Sequence, residues 1–233
     1  MRLKDIGTVE APQGSIQREG IREINFHLKA DAIASFLTSK VRKEHIDCDS
    51  FNRLFFIPRI PNLLREEPQI KYKSLCVDVP IDWAAYEQVQ DSAQGFGVFI
   101  CDFYRLGIAY LRPEQGLPQE TMLAWVDAFE RAGYEHTGLF KKRVFRQVGL
   151  TAELHCKADF HAFQLRLIVK KGKETLLDEV ILTEDPDPLL YHHKFKEIEL
   201  RDGQIVVTMR LGQEFLFAKP VLDILPEACA GSV

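Results

Sequence analysis

From residue 139 onward, apolar and polar positions alternate with a period of two. Leu150, Ala152, Leu154, Cys156 and Ala158 alternate with Thr151, Glu153, His155, Lys157 and Asp159, and Phe163, Leu165, Leu167 and Val169 repeat the pattern. Successive side chains on a strand point to opposite faces, so this spacing predicts half-buried strands. Lys171-Gly172-Lys173 marks a turn. Asp202-Gly203, set between Ile198/Leu200 and Ile205/Val207, marks a hairpin, and Phe215 and Phe217 offer one more strand before Pro220. The pattern predicts one antiparallel meander of about six or seven strands.

The first part of the chain mixes the two periods. Residues 1–20 carry four Gly/Pro positions and little periodicity, which predicts an irregular arm. Ile24, Phe26 and Leu28 alternate with polar neighbours and read as a strand. A helix is predicted from Asp31 to Lys43, with Ile33, Phe36, Leu37 and Val41 on one face. Arg53 to Ile57 reads as a strand halted by Pro58 and Pro61, which favour an edge or a loop.

Ile70 to Val79 reads as a further strand, and Pro80 opens a short helix through Trp83, Tyr86 and Val89. Gly95 to Leu111 is rich in Val, Ile, Phe and Tyr and holds three glycines, which favours two strands. The next helix has the clearest signature. Pro118 opens it, Met122, Trp125, Val126 and Phe129 form one stripe, and Gly133 stands where a left-handed cap belongs. The expected fold class is α+β, with an arm over 1–20, a mixed region over 21–138 and a β-rich region over 139–233. Whether the last two form one domain is open at this level.

Composition narrows the functional classes. The chain has 233 residues, 46% of them hydrophobic and 27% charged, which is the profile of a globular chain able to bury a core. The formal net charge of −4 argues against non-specific binding to nucleic acid or anionic lipid. That charge lies in the first 138 residues, because residues 139–233 hold 14 basic and 14 acidic side chains. The five cysteines are scattered, form no CxxC pair and suggest a reducing cytoplasm. No stretch has the length and apolarity of a membrane span, since Asp102 and Arg105 interrupt the longest apolar run.

Motifs with specific chemistry are missing from the sequence. There is no HExxH, no GxSxG and no Walker sequence, and Gly95-Phe96-Gly97 lacks the third glycine of a dinucleotide fingerprint. No catalytic residue, cofactor or metal is therefore assigned. His155-Cys156 fails as a nucleophile–base pair because neighbours on a strand face opposite ways. The cluster Lys141-Lys142-Arg143 with Arg146 reads as a solvated face or a blunted sheet edge rather than a nucleic-acid patch.

What remains is a non-enzymatic protein-binding module with one partner. Asp78, Asp82, Glu87 and Asp91 recur around the Trp83 helix and would present an acidic face to a basic partner, as an immunity- or antitoxin-type protein does. Arg53, Arg59 and Phe55 belong to an aromatic- and arginine-rich segment whose composition suits an interface. The alternative is a small-molecule-binding protein or enzyme with a pocket between sheet and helices, its polar contacts drawn from His161, His192, His193 and Glu184.

Overall fold

The computed structural model describes residues 1–9, 18–89, 92–187, 191, 193–211 and 214–225. The fold is α+β, and the chain divides into two compact units, Met1–His136 and Thr137–Val233.

Unit 1 is built on a four-stranded sheet in the order β1-β2-β4-β3. Its strands are β1 (Asp5–Thr8), β2 (Arg53–Arg59), β3 (Gln69–Lys71) and β4 (Ser74–Pro80). β1, β2 and β4 run parallel, and β3 forms an antiparallel hairpin with β4. The expected irregular arm thus contributes a strand. Strand β2, expected at an edge, lies between two neighbours. β1 pairs with it only as far as Phe56, so the missing N–H of Pro58 falls where that ladder has already ended. The single strand read over Ile70–Val79 is two strands, with Tyr72 and Lys73 turning the corner at φ of 48° and 63°.

Helices α1 (Arg18–Glu44), α2 (Trp83–Val89), α3 (Ala93–Ala109) and α4 (Gln119–Arg131) complete the unit. The strand expected at Ile24–Leu28 is instead part of α1. Phe26, Ala30, Ile33, Leu37 and Val41 are all buried and recur at helical spacing, so one stripe continues back through Phe26. The two strands expected over Gly95–Leu111 are likewise a helix. Phe96, Ile100, Phe103, Tyr104 and Ile108 form its buried stripe, and the Ser92 side chain caps it by accepting from Gly95 N at 3.1 Å. Its glycines serve close packing. A Cβ at Gly97 would lie 2.6 Å from the Tyr134 ring, and one at Gly107 would lie 2.7 Å from Phe56 Cε1 and nearer still to Cδ1. Helix α4 follows its sequence signature, burying Met122, Trp125, Val126 and Phe129 before Gly133 at φ +73°.

Among the described residues unit 2 holds seven strands, the number expected, and they are arranged in two sheets. β5 (His136–Phe145), β6 (Leu150–Ala158), β7 (Phe163–Lys171) and β8 (Glu174–Glu184) form the first in sequence order. β9 (Glu197–Arg201), β10 (Gln204–Thr208) and β11 (Phe215–Pro220) form the second, followed by the short helix α5 (Val221–Ile224). Ion pairs tie matching edges: Lys141 and Arg143 of β5 reach Glu197 of β9, and Lys219 of β11 reaches Glu179 of β8. Between those edges lie the buried rows Leu154, Leu165, Leu167 and Val169 on one sheet and Ile198, Ile205 and Val207 on the other. Phe195 joins the layers, edge-on to Phe140 at 4.7 Å and parallel to Phe163 at 5.7 Å. The Asp202-Gly203 hairpin forms as its dipeptide predicts, with both residues at positive φ.

Candidate functional site

The two edges of the unit 1 sheet are treated differently. At the β1 edge, Thr38 of α1 closes the backbone: its hydroxyl accepts from Ile6 N at 3.0 Å and donates to Ile6 O at 3.1 Å. At the opposite edge, β3 pairs only with Ser74–Cys76; from Val77 onward β4 keeps its pairing with β2, and no described strand lies on its other side, although Val77, Asp78 and Val79 are themselves buried. A cleft of about 480 Å3 lies there, lined by Leu64, Arg65, Glu66, Pro68, Val77 and Asp78, and by residues 109–112 at the end of α3. Its volume falls within the usual range for ligand-binding clefts.

One wall of the cleft is fixed by a charge cluster. Asp78 is only 6% exposed. Arg65 donates its Nε to Asp78 Oδ2 at 2.8 Å and its backbone N to the same oxygen at 3.0 Å, while Nη2 pairs with Oδ1. Nη1 of Arg65 donates to Gln69 Oε1 at 2.7 Å. Arg59 Nε lies 3.5 Å from Asp78 Oδ2, an ionic contact without hydrogen-bond alignment. Burial alone would raise the Asp78 carboxyl; the Arg65 hydrogen bonds and the Arg59 charge hold it below the usual carboxylate range. Arg112 closes the rim, 3.2 Å from Glu67.

Apolar groups surround this opening. Ile70 pairs with Leu75, on the sheet face that packs against α3 through Phe56 and Gly107, yet it is 50% exposed because β3 is the outermost strand. Tyr110, at the end of α3, is 42% exposed beside the cleft, and Tyr72 at the hairpin tip is 97% exposed. Exposed apolar and aromatic groups around a cleft suit recognition of an apolar segment.

The residues expected from the sequence fall in three places. Arg53, Phe55 and Arg59 occupy alternate positions of β2 and so share one sheet face, with Asp78 on the same face of β4. Asp78 belongs to a strand and is buried under Arg65, so it cannot join an acidic face on the Trp83 helix. Asp82 and Glu87 are exposed at that helix, where Asp82 Oδ1 caps it by accepting from Ala84 N at 2.9 Å and Ala85 N at 3.1 Å. Asp91 and His192 lie outside the described residues.

In unit 2, His161 and Glu184 come to the same end of the sheet, because Glu184 pairs across from Phe163. His161 is exposed in a turn where its N–H donates to Asp159 Oδ1 at 2.7 Å, and Glu184 is paired with Lys194. The His193 carbonyl accepts from Arg210 N at 2.9 Å. Neither the unit 1 cleft nor a second groove on the β6–β8 face is lined by these groups; that groove holds His155, Lys157, Arg166 and Asp178.

The basic cluster of β5 is neutralised. Lys141 and Arg143 pair with Glu197, and Lys142 pairs with Glu153 at 2.8 Å. Lys170 reaches the other Glu153 oxygen at 2.8 Å, and His155 Nε2 lies 3.3 Å from it. Hydrogen bonds from Lys142 and Lys170 hold the Glu153 carboxyl at about 2. Burial raises the thiols of Cys48, Cys76 and Cys156 and pushes Cys101 up to about 12, so all four stay protonated near neutrality and are poor nucleophiles. No group of three His, Cys, Asp or Glu side chains able to hold a metal ion occurs among the described residues. No described helix is long and apolar enough to cross a membrane.

Sequence reasoning missed the cleft because its walls come from three separated segments. The weak turn signal at Tyr72-Lys73 also hid the short β3. Comparison with protein-family models, curated proteins and solved structures returns no match.

Proposed function

We propose that this protein is a non-enzymatic binding module that holds an extended segment of one protein partner in the cleft beside β4 of the unit 1 sheet. The observation that carries this reading is the cleft beside Val77 and Asp78, where β4 continues past the end of β3. The side chains around Leu64, Pro68, Tyr110 and Ile70 would select apolar groups. Arg65 is held at both ends by Asp78 and Gln69, so the wall is in place before a partner arrives, which lowers the ordering cost of binding.

The test is site-specific photo-crosslinking in the native host. Benzoylphenylalanine replaces Ile70 or Tyr110 in the full chain, and Leu222 on α5 serves as the exposed control. The expected result is one crosslinked peptide common to positions 70 and 110 and not captured at 222. Equal, heterogeneous crosslinking at all three positions would overturn the proposal.

A further inference from the structure

Three exposed cations, Lys71 and Lys73 of the β3–β4 hairpin and Arg53 of β2, stand close together. Arg53 and Lys71 both stand opposite Ser74, one from each neighbouring strand, so the three residues lie abreast on one sheet face. Neighbouring strands are about 4.8 Å apart, which sets the two cationic positions about 10 Å from each other. Lys73 follows at the turn, and Tyr72 projects between the two lysines almost fully into solvent. Arg53, Lys71 and Lys73 are exposed and form no ion pair among the described residues; Asp5 stands beside Arg53 on β1 but is paired with Arg42.

Many other cations on this chain are matched. Arg42 pairs with Asp5, Arg105 with Asp102, Asp127 and Glu130, Arg112 with Glu67, and Arg166 with Asp178. The turn itself is built against local preference. Two-residue hairpin turns of this kind favour Asn-Gly because both central residues need positive φ, yet here Tyr and Lys adopt it.

We infer that the Lys71-Tyr72-Lys73 tip, with Arg53 beside it, recognises an acidic stretch of the partner's polypeptide, adjoining the part that enters the cleft. This inference rests on the docking proposal above. It names the chemistry of the segment: carboxylates facing Arg53, Lys71 and Lys73, with apolar side chains continuing toward Ile70 and the cleft. A peptide suits the site better than a nucleic acid. Three cations are few for a phosphate backbone, whose binding grows with each phosphate neutralised. The first 138 residues carry 16 basic and 20 acidic side chains, a net field that repels a long polyanion while a short acidic stretch meets the local charge.

The test measures fluorescence polarisation with the full chain and three labelled probes: a short peptide alternating Glu and Val, the same peptide with Gln for Glu, and an oligothymidine of matched length. The expected result is saturable binding of the Glu peptide that weakens with salt, with the Gln peptide and the K71E/K73E variant each at least about tenfold weaker. R53E should weaken the Glu peptide in the same direction. These residues are exposed, so unchanged tryptophan fluorescence from the buried Trp83 and Trp125 verifies that the variants are folded. Equal affinity for the Glu and Gln peptides, tighter binding of the oligothymidine, no binding of the Glu peptide, or no effect of K71E/K73E would each overturn the inference. Its failure is distinguishable from failure of the docking proposal. If positions 70 and 110 still crosslink one peptide in the K71E/K73E background, the cleft docks a partner and only its acidic character is refuted.

Discussion

Arg65 grips Asp78 with its backbone as well as its side chain. The backbone N lies 3.0 Å from Asp78 Oδ2 and Nε lies 2.8 Å from the same oxygen. One carboxylate therefore anchors both the charge of the arginine and the path of the 64–68 segment that walls the cleft. Asp78→Asn keeps the shape but leaves Arg59 and Arg65 without a counter-charge. It should destabilise unit 1 by about 3 kcal/mol, the lower end for breaking a buried pair, because Arg65 retains some solvent contact. Urea unfolding followed by tryptophan fluorescence checks this, since both tryptophans lie in unit 1. An unchanged midpoint would mean that the pair does not hold the wall.

Gly107 and Phe56 set the distance between α3 and the sheet. Gly107→Ala would gain about 1 kcal/mol of helix propensity in an isolated helix. Here the added methyl meets the Phe56 ring, and overpacking should outweigh the gain for a net loss of about 1–2 kcal/mol. The same unfolding measurement decides the sign.

This contact also explains which elements were legible in the sequence. α4 could be read because one apolar stripe and a capping glycine agree, and β6 and β7 because one face of each is buried. α3 could not, because its glycines are there for close approach while its Phe, Ile and Val content resembles a strand. Its stripe at Phe96, Ile100, Phe103, Tyr104 and Ile108 was nonetheless present. At Phe26, local alternation over three positions competed with a longer helical stripe, and the longer stripe prevailed. The acidic face read around Trp83 lost Asp78, because sequence spacing cannot tell a strand carboxylate buried under an arginine from an exposed helical one.

His27 gives unit 1 a pH dependence. Its Nδ1 lies 2.7 Å from Thr8 Oγ1, and burial lowers its pKa from 6.5 to about 4. The unfolded chain therefore binds the proton more readily, so stability is full above about 6.5 and falls as pH drops toward 4, with a slope of at most about 1.4 kcal/mol per pH unit. His136, lowered by burial and then by Lys40, acts in the same direction. His27→Gln should flatten the slope without abolishing it, as read from urea midpoints at several pH values across that window. An unaltered slope in the variant would show that His27 is not its source.

The turn at Tyr72-Lys73 offers a trade of stability against binding. Replacing it with Asn-Gly relieves two side chains held at positive φ and should stabilise unit 1 by about 1 kcal/mol or more. It also removes the exposed ring and one cation, so the same variant should bind the alternating Glu peptide more weakly. A variant that gains stability and keeps full affinity would separate the strain from any role in recognition.

The central claim is that a partner's segment lies along β4 beyond the end of β3. Hydrogen exchange over Val77–Val79 tests it most directly, measured on the free chain and on the chain saturated with the peptide identified by crosslinking. Docking in this cleft predicts that exchange over Val77–Val79 slows on binding, while β5 and β8 at the edges of the unit 2 sheet keep their free rates. Protection confined to unit 2, with Val77–Val79 exchanging as in the free chain, would contradict it.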